Sequence, residues 1–202
     1  MVKKLSYLIY RILNFLDFIF FKITKKRFMN YIYDFIRSES HSSIIINNQN
    51  INFFTPNQIT KWRVDTFFTK EPETLQWIDS FKDDEKIIFW DIGANIGLYS
   101  IYSSIKFNNI NVYAFEPSTS NLGILTRNIS LNHLSEKIIV NQIPLTDKEN
   151  QYLMMRENNF IEGGALNSFG VMFDSEGKKF EGNNNYKLYG TSINYLIRNK
   201  IL

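Results

Sequence analysis

Hydrophobic and polar positions alternate with three different rhythms along the chain. From residue 5 to residue 23, Leu5, Leu8, Ile9, Ile12, Leu16, Ile19, Phe20 and Ile23 recur at helical spacing. Residues 1–37 therefore read as one amphipathic helical region. Next, Ile44-Ile45-Ile46 and Ile51-Asn52-Phe53-Phe54 flank the polar run 47–50, the pattern of a hairpin. Residues 72–81 read as a helix, with Pro72 at a first helical position and Leu75, Ile78 and Phe81 on or near one side.

The rhythm then changes. Ile87-Ile88-Phe89-Trp90 is a short unbroken apolar run, the pattern of a strand buried on both faces of a parallel sheet. Leu98, Ile101, Tyr102 and Ile105 mark one face of a helix. Asn111–Phe115 predicts a second strand, Leu122, Leu125 and Ile129 a second helix, and Lys137–Gln142 a third strand. This alternation predicts an α/β sheet with crossover helices. Beyond Asp147 the pattern weakens. Residues 151–155 suit a strand, 156–186 suit loops or an antiparallel excursion, and Ser192–Arg198 suits the start of a helix. The boundaries fall at 1–43 (amphipathic region), 44–81 (hairpin and helix) and 82–202 (α/β domain).

Composition adds limits. The 202 residues are 44% hydrophobic and 21% charged, enough for a packed core. Without cysteine, disulfides, thiolate nucleophiles and Cys-ligated zinc are excluded, and a reducing, cytoplasmic setting suits the chain. A net charge of +3 is too small to imply nucleic acid as a partner. Lys3, Lys4, Arg11, Lys22, Lys25, Lys26 and Arg27 crowd the first helix, while Arg11, Asn14 and Asp17 break its apolar run below the ~18 residues of a spanning helix. Two readings stay open for residues 1–29: a helix packed on the rest of the protein, or one in peripheral contact with a membrane surface.

The candidate chemistry lies in Asp91-Ile92-Gly93-Ala94-Asn95-Ile96-Gly97. In an open α/β sheet, ligands bind beyond the carboxyl ends of the strands, where this loop falls. Gly93 and Gly97 remove side chains where a ligand meets the backbone and where helix packs on strand. The dinucleotide fingerprint has a third, central glycine that is missing here. Asp91 would repel a phosphate and suits a cation, such as the ammonium of S-adenosylmethionine. Asn95 can bond the same end through its amide. Glu116 ends the second strand roughly 20 positions after Gly97, where an acid typically accepts ribose hydroxyls. Ile143, Pro144 and Leu145 are candidates for an apolar wall beside the adenine, and Thr146 or Asp147 for its exocyclic amine.

The segments Phe89-Trp90-Asp91-Ile92-Gly93-Ala94-Asn95-Ile96-Gly97-Leu98-Tyr99-Ser100 and Val112-Tyr113-Ala114-Phe115-Glu116-Pro117, with Glu71-Pro72-Glu73-Thr74-Leu75 upstream, resemble the FkbM-type methyltransferases. The resemblance covers roughly residues 44–202. It implies a Rossmann-like class I methyltransferase fold. It implies S-adenosylmethionine as cofactor, held by Asp91, Gly93, Ala94, Asn95, Gly97, Glu116, Pro117 and Leu145. It also implies O-methylation of a hydroxyl on a sugar, glycan or secondary metabolite. The family pattern continues with an Asp-rich strand that would follow Leu202, so the resemblance implies a chain truncated at its C-terminus with an incomplete parallel sheet. One side of the first strand then lacks a neighbour, a gap the hairpin is placed to cover in part.

No general base stands out, and no metal is implied. His133 follows a helix and His41 lies in a Ser-rich turn. Glu71 and Glu73 are candidates for the acceptor side, although acids at a helix N-terminus are common for dipole reasons. Gly163, Gly164 and Asn167 are candidates for a loop over the site. Asn128-Ile129-Ser130 fits a glycosylation acceptor but falls inside a predicted helix. Two alternatives to a methyltransferase remain: a catalytically inactive remnant that keeps cofactor binding or serves as an interaction module, and a nucleotide-binding dehydrogenase, which the missing glycine disfavours.

Overall fold

The computed structural model describes residues 1–173, 176–180 and 184–200. The parts of the 156–186 expectation at 174, 175 and 181–183, and the last two residues of the family resemblance, lie outside the described residues. The chain divides into two compact units, Met1–Ser40 and His41–Leu202.

The first unit holds helices α1 (Val2–Thr24) and α2 (Met29–Glu39). Lys25 closes α1 in the left-handed conformation, φ 60°, with its N–H on the Phe21 carbonyl. A lysine there gives no glycine signal for a helix end. Asp17, which interrupts the apolar pattern, is buried and sits at the α2 N-terminus. Its Oδ1 accepts from the Phe28 and Met29 amides at 2.7 and 3.2 Å, and its Oδ2 from Arg27 Nη1 at 2.8 Å. Burial alone would raise its carboxyl. The guanidinium and the two amides outweigh that and hold it below the usual range. The acid thus answers the unpaired N–H groups that every helix start presents.

The second unit opens with a hairpin, β1 (His41–Ile46) and β2 (Gln49–Phe54). Asn47 and Asn48, at φ 48° and 59°, form its two-residue turn, and both tolerate positive φ better than most residues. Helix α3 (Gln58–Asp65) starts on a capping box between Asn57 and Thr60. Helices α4 (Phe67–Lys70) and α5 (Pro72–Asp79) follow.

The parallel sheet comes next. Strand β3 (Ile87–Ile92), helix α6 (Leu98–Lys106), strand β4 (Ile110–Phe115), helix α7 (Thr119–Leu131) and strand β5 (Ile138–Asn141) alternate as the pattern predicts. The strand order is β3-β4-β5. Ile92 pairs with Phe115, and Phe115 with Asn141, so the three carboxyl ends lie side by side. A second, antiparallel sheet has the order β7-β6-β8, built from β6 (Gln151–Arg156), β7 (Ser168–Phe169) and β8 (Asn185–Gly190). Leu145 bridges Thr191 beside it, and α8 (Ile193–Arg198) follows.

The core lies on one face of the parallel sheet. Phe89, Val112, Ala114 and Ile138 point into it, joined by Ile101 and Leu125 from α6 and α7 and by Phe53 from the hairpin. Two expectations are corrected here. Strand β3 is not buried on both faces, because Ile88 and Ile92 are 52% and 57% exposed. Nor does the hairpin cover the open side of β3. Its backbone is bound to α7: Asn128 Oδ1 accepts from the Phe54 amide at 2.8 Å, and Asn132 accepts from Asn52 N and donates to Asn52 O. The other amide end of Asn128 donates to the Ile96 carbonyl at 2.9 Å, so one buried side chain joins hairpin, helix and glycine loop. Lys137, at the foot of β5, donates to the Ser104 and Phe107 carbonyls at the end of α6.

Candidate active site

The loop after β3 and the tip of β4 meet at one carboxylate. Glu116 Oε2 accepts from the Asn95 amide at 2.7 Å, and Oε1 from the Ser118 amide at 2.8 Å. Burial pushes the Glu116 carboxyl up; the Ser118 and Asn95 amides and the Asn121 side chain pull it down, and the nearby Glu157 charge pushes it up again. Each oxygen keeps a lone pair for a further donor. Asn95 takes φ 52°, and its Nδ2 donates to the Gly164 carbonyl at 2.7 Å. Its Oδ1 is buried and has no hydrogen-bond partner among the described residues. A buried acceptor without a donor is costly, which marks it as waiting for one.

Beside these residues lies a cleft of about 340 Å³, a size that suits a small ligand. Gly93, Asn95, Glu116, Pro117 and Asn121 form its polar and backbone side. Ile143, Pro144, Leu145, Met155 and Phe169 form its apolar side. The segment 163–168 closes it, held by three side chains. Asn121 accepts from Gly163 N at 2.8 Å and donates to Gly164 O at 3.1 Å; Asn95 adds its bond to Gly164, and Arg63 Nε donates to Gly163 O at 2.6 Å.

A second cleft, of about 200 Å³, shares Gly93, Asn95 and Ala165 with the first and runs to Arg63, Lys70, Glu71, Ala94 and Tyr99. Glu71 Oε2 accepts from the Tyr99 hydroxyl at 2.8 Å, and Oε1 pairs with Lys70 at 2.9 Å. Lys70 and Tyr99 hold the Glu71 carboxyl below its usual range. Burial and Glu71 push the Tyr99 hydroxyl far up. Burial lowers the Arg63 guanidinium, against the charges of Glu71 and Glu116.

Six of the eight cofactor residues read from the sequence line one or both clefts: Gly93, Ala94, Asn95, Glu116, Pro117 and Leu145. Asp91 and Gly97 do not. Asp91, 7% exposed, turns to the first turn of α6, where its Oδ2 accepts from Ser100 N at 3.0 Å and Ser100 Oγ at 2.5 Å. Burial raises its carboxyl against those bonds. Gly97, φ 89°, lies under Leu125, whose Cδ1 would stand 2.6 Å from a Cβ. Thr146 and Asp147 bond to each other and line neither cleft. Glu73, His41 and His133 are exposed. Among the described residues, no group of His, Asp and Glu is placed to hold a metal ion.

Sequence reasoning missed Asn121, Arg63 and Tyr99. Asn121 did carry a signal: with Leu125, Asn128 and Asn132 it follows helical spacing on the face that packs inward. Also unforeseen was Glu157. It is buried, its Oε1 accepts from Tyr186, and its Oε2 has no partner among the described residues. Burial and this carboxylate push the Tyr186 hydroxyl up to about 12.

No family model matches the chain. It is 45% identical over 42 residues to Methyltransferase sdnD of Sordaria araneosa, a stretch covering 21% of this chain and 16% of that protein. Among solved structures, P. horikoshii TYW2 in complex with MeSAdo aligns at 18% identity and a TM-score of 0.36, over 59% of this chain and 40% of that one. A candidate S-adenosylmethionine-dependent methyltransferase of Listeria monocytogenes aligns at 10% identity and a TM-score of 0.29, over 65% and 83%. Overlays this partial carry no functional argument. The chain spans about a sixth of the curated relative it matches.

Proposed function

We propose that this chain is an S-adenosylmethionine-dependent methyltransferase of FkbM type. The observation that carries the reading is the pairing of Glu116, at the β4 tip, with Asn95, whose buried Oδ1 lacks a donor. The residues fit that cofactor. Its ammonium would satisfy Asn95 Oδ1, Glu116 would accept from the ribose diol, and Ile143, Pro144 and Leu145 would flank the adenine. Gly93 adds open backbone, since a Cβ there would meet nothing within 4 Å. Asp91 serves by position: through Ser100 it fixes the loop to α6. The short match to a named methyltransferase supports the same class.

When bound, S-adenosylmethionine supplies a sulfonium methyl group open to in-line displacement by an acceptor oxygen. This chain's residues bind, orient and exclude water. The second cleft takes the acceptor, a hydroxyl of a sugar, glycan or metabolite. Glu71 there is ionised and weakly basic, so it orients a hydroxyl by accepting its hydrogen bond. Arg63 and Lys70 line the same cleft as hydrogen-bond donors.

The test is calorimetric titration of the folded chain with S-adenosylmethionine, followed by turnover on a panel of sugar and metabolite hydroxyls. Binding with methyl transfer is the expected result. A folded chain that does not bind sinks the proposal. Binding without turnover favours the remnant, and preference for a nicotinamide cofactor favours the dehydrogenase.

A further inference from the structure

The first unit carries a surface the methyl-transfer reading does not use. Around α1, Leu13, Asp17 and Phe21 are the least exposed side chains, and Asp17 faces α2. At 3.6 residues per turn, the adjoining arc is apolar along the whole helix: Leu5, Leu8, Ile12, Leu16, Ile19 and Ile23 follow one another down it. All six are exposed, from 41% at Ile19 to 78% at Ile23. An exposed apolar stripe about 30 Å long is far more than a solvated helix carries. Along its other border run Lys4, Arg11 and Lys22, and Lys25, Lys26 and Arg27 cluster at its C-terminal end. The only acid among the first 28 residues is Asp17, buried and already paired with Arg27.

We propose that α1 docks in the plane of an anionic lipid bilayer, its apolar arc in the acyl boundary and its basic border on the headgroups. Charge complementarity chooses this occupant. A second copy of the helix would bring one basic border against another, whereas an anionic surface answers all of them. Among the described residues, no helix is long and apolar enough to cross a membrane. Asp17 gives the unit its shape there: by capping α2 it turns the chain back without exposing the unpaired amides of that helix start.

The experiment is flotation of the whole chain with vesicles of phosphatidylcholine alone and of phosphatidylcholine mixed with phosphatidylglycerol, at low and high salt. The expected result is binding to the anionic vesicles that high salt weakens. Charge reversal of the border, Lys4→Glu with Arg11→Glu and Lys22→Glu, lowers it at least ~10-fold. Ile12→Asp with Ile19→Asp abolishes it. Trp62, Trp77 and Trp90 all lie in the other unit, so their near-UV dichroism reports whether that unit stays folded, and far-UV dichroism reports whether the helices of the first unit are kept. The salt dependence of the unaltered chain decides even where a variant does not fold. Absence of vesicle binding, or equal binding to both vesicle types with no salt effect, overturns the proposal. So does a stable dimer in sedimentation that Ile12→Asp dissolves.

Discussion

Asn95 and Glu116 are joined by a 2.7 Å hydrogen bond in which the loop amide donates to the strand-tip carboxylate. One bond thus fixes the glycine loop to the neighbouring strand and aims a second lone pair of Glu116 at the cleft. Removing the carboxylate loses both effects. Glu116→Ala is expected to weaken S-adenosylmethionine binding at least tenfold, about 1.4 kcal/mol. Glu116→Gln keeps one acceptor oxygen and is expected to fall between. Titration calorimetry checks this, and equal affinity in all three proteins would remove Glu116 from the site.

The two loop glycines separate binding from stability. Both hold positive φ, but a methyl at Gly93 meets open space in the cleft while one at Gly97 meets Leu125. Gly97→Ala is expected to destabilise by about 2–4 kcal/mol, from backbone strain and overpacking together. Gly93→Ala is expected to cost about 1–2 kcal/mol in stability and to weaken cofactor binding more than Gly97→Ala does. Urea unfolding and titration on the same samples decide it; the reverse ranking would contradict the packing described for α7.

Asn128 is a second two-ended joint. Asn128→Ala strands the Phe54 amide and the Ile96 carbonyl in the core, at about 1–3 kcal/mol each. Loss of about 2–6 kcal/mol in urea unfolding is expected. A loss under ~1 kcal/mol would mean that water replaces the side chain.

The contribution of Asp91 and Glu116 to stability should fall as pH rises, opposite in sign to that of Asp17 and Glu71. Asp91 and Glu116 both have raised carboxyls, chiefly through burial, so the native chain keeps protons that the unfolded chain has released. The unfolded state then binds fewer protons, and stability declines with pH. The decline begins near the ordinary carboxylate value of about 4 and ends above the raised native values. Asp91→Asn is expected to flatten this part of the profile, measured as the urea midpoint against pH. An unchanged slope in both Asp91→Asn and Glu116→Gln would assign the titration to other groups.

Much of the parallel sheet was legible because its signals are local. Apolar runs of strand length, helical spacing and the Asn47-Asn48 turn each occupy a few neighbouring residues. The cleft was legible where chemistry and position coincided, as at Glu116. Other features have no local signal. Lys25 ends a helix without glycine, and α3 carries Ile59, Trp62 and Val64 without a clean apolar face. The pairing of 151–156 with 185–190 spans a long loop, and no short window predicts it. Asp91 reads as a holder of the cofactor's cationic end, but sequence does not tell that Ser100, in the first turn of α6, takes its Oδ2 and that Asp91 lines neither cleft.

The open side of β3 gives one strand two kinds of amide. Ile87 N–H donates to Asn109 and Gly93 N–H to Phe115, so by alternation the amides of Phe89 and Asp91 also face β4. Those of Ile88, Trp90 and Ile92 face outward. In deuterated water the first set should exchange only when the sheet itself opens, and the second at nearly the rate of a free peptide. Among the described residues, the strand that carries the glycine loop is therefore clamped by β4 alone, so any partner, ligand or chain that reaches its outer edge would be read directly as slowed exchange at three alternate residues.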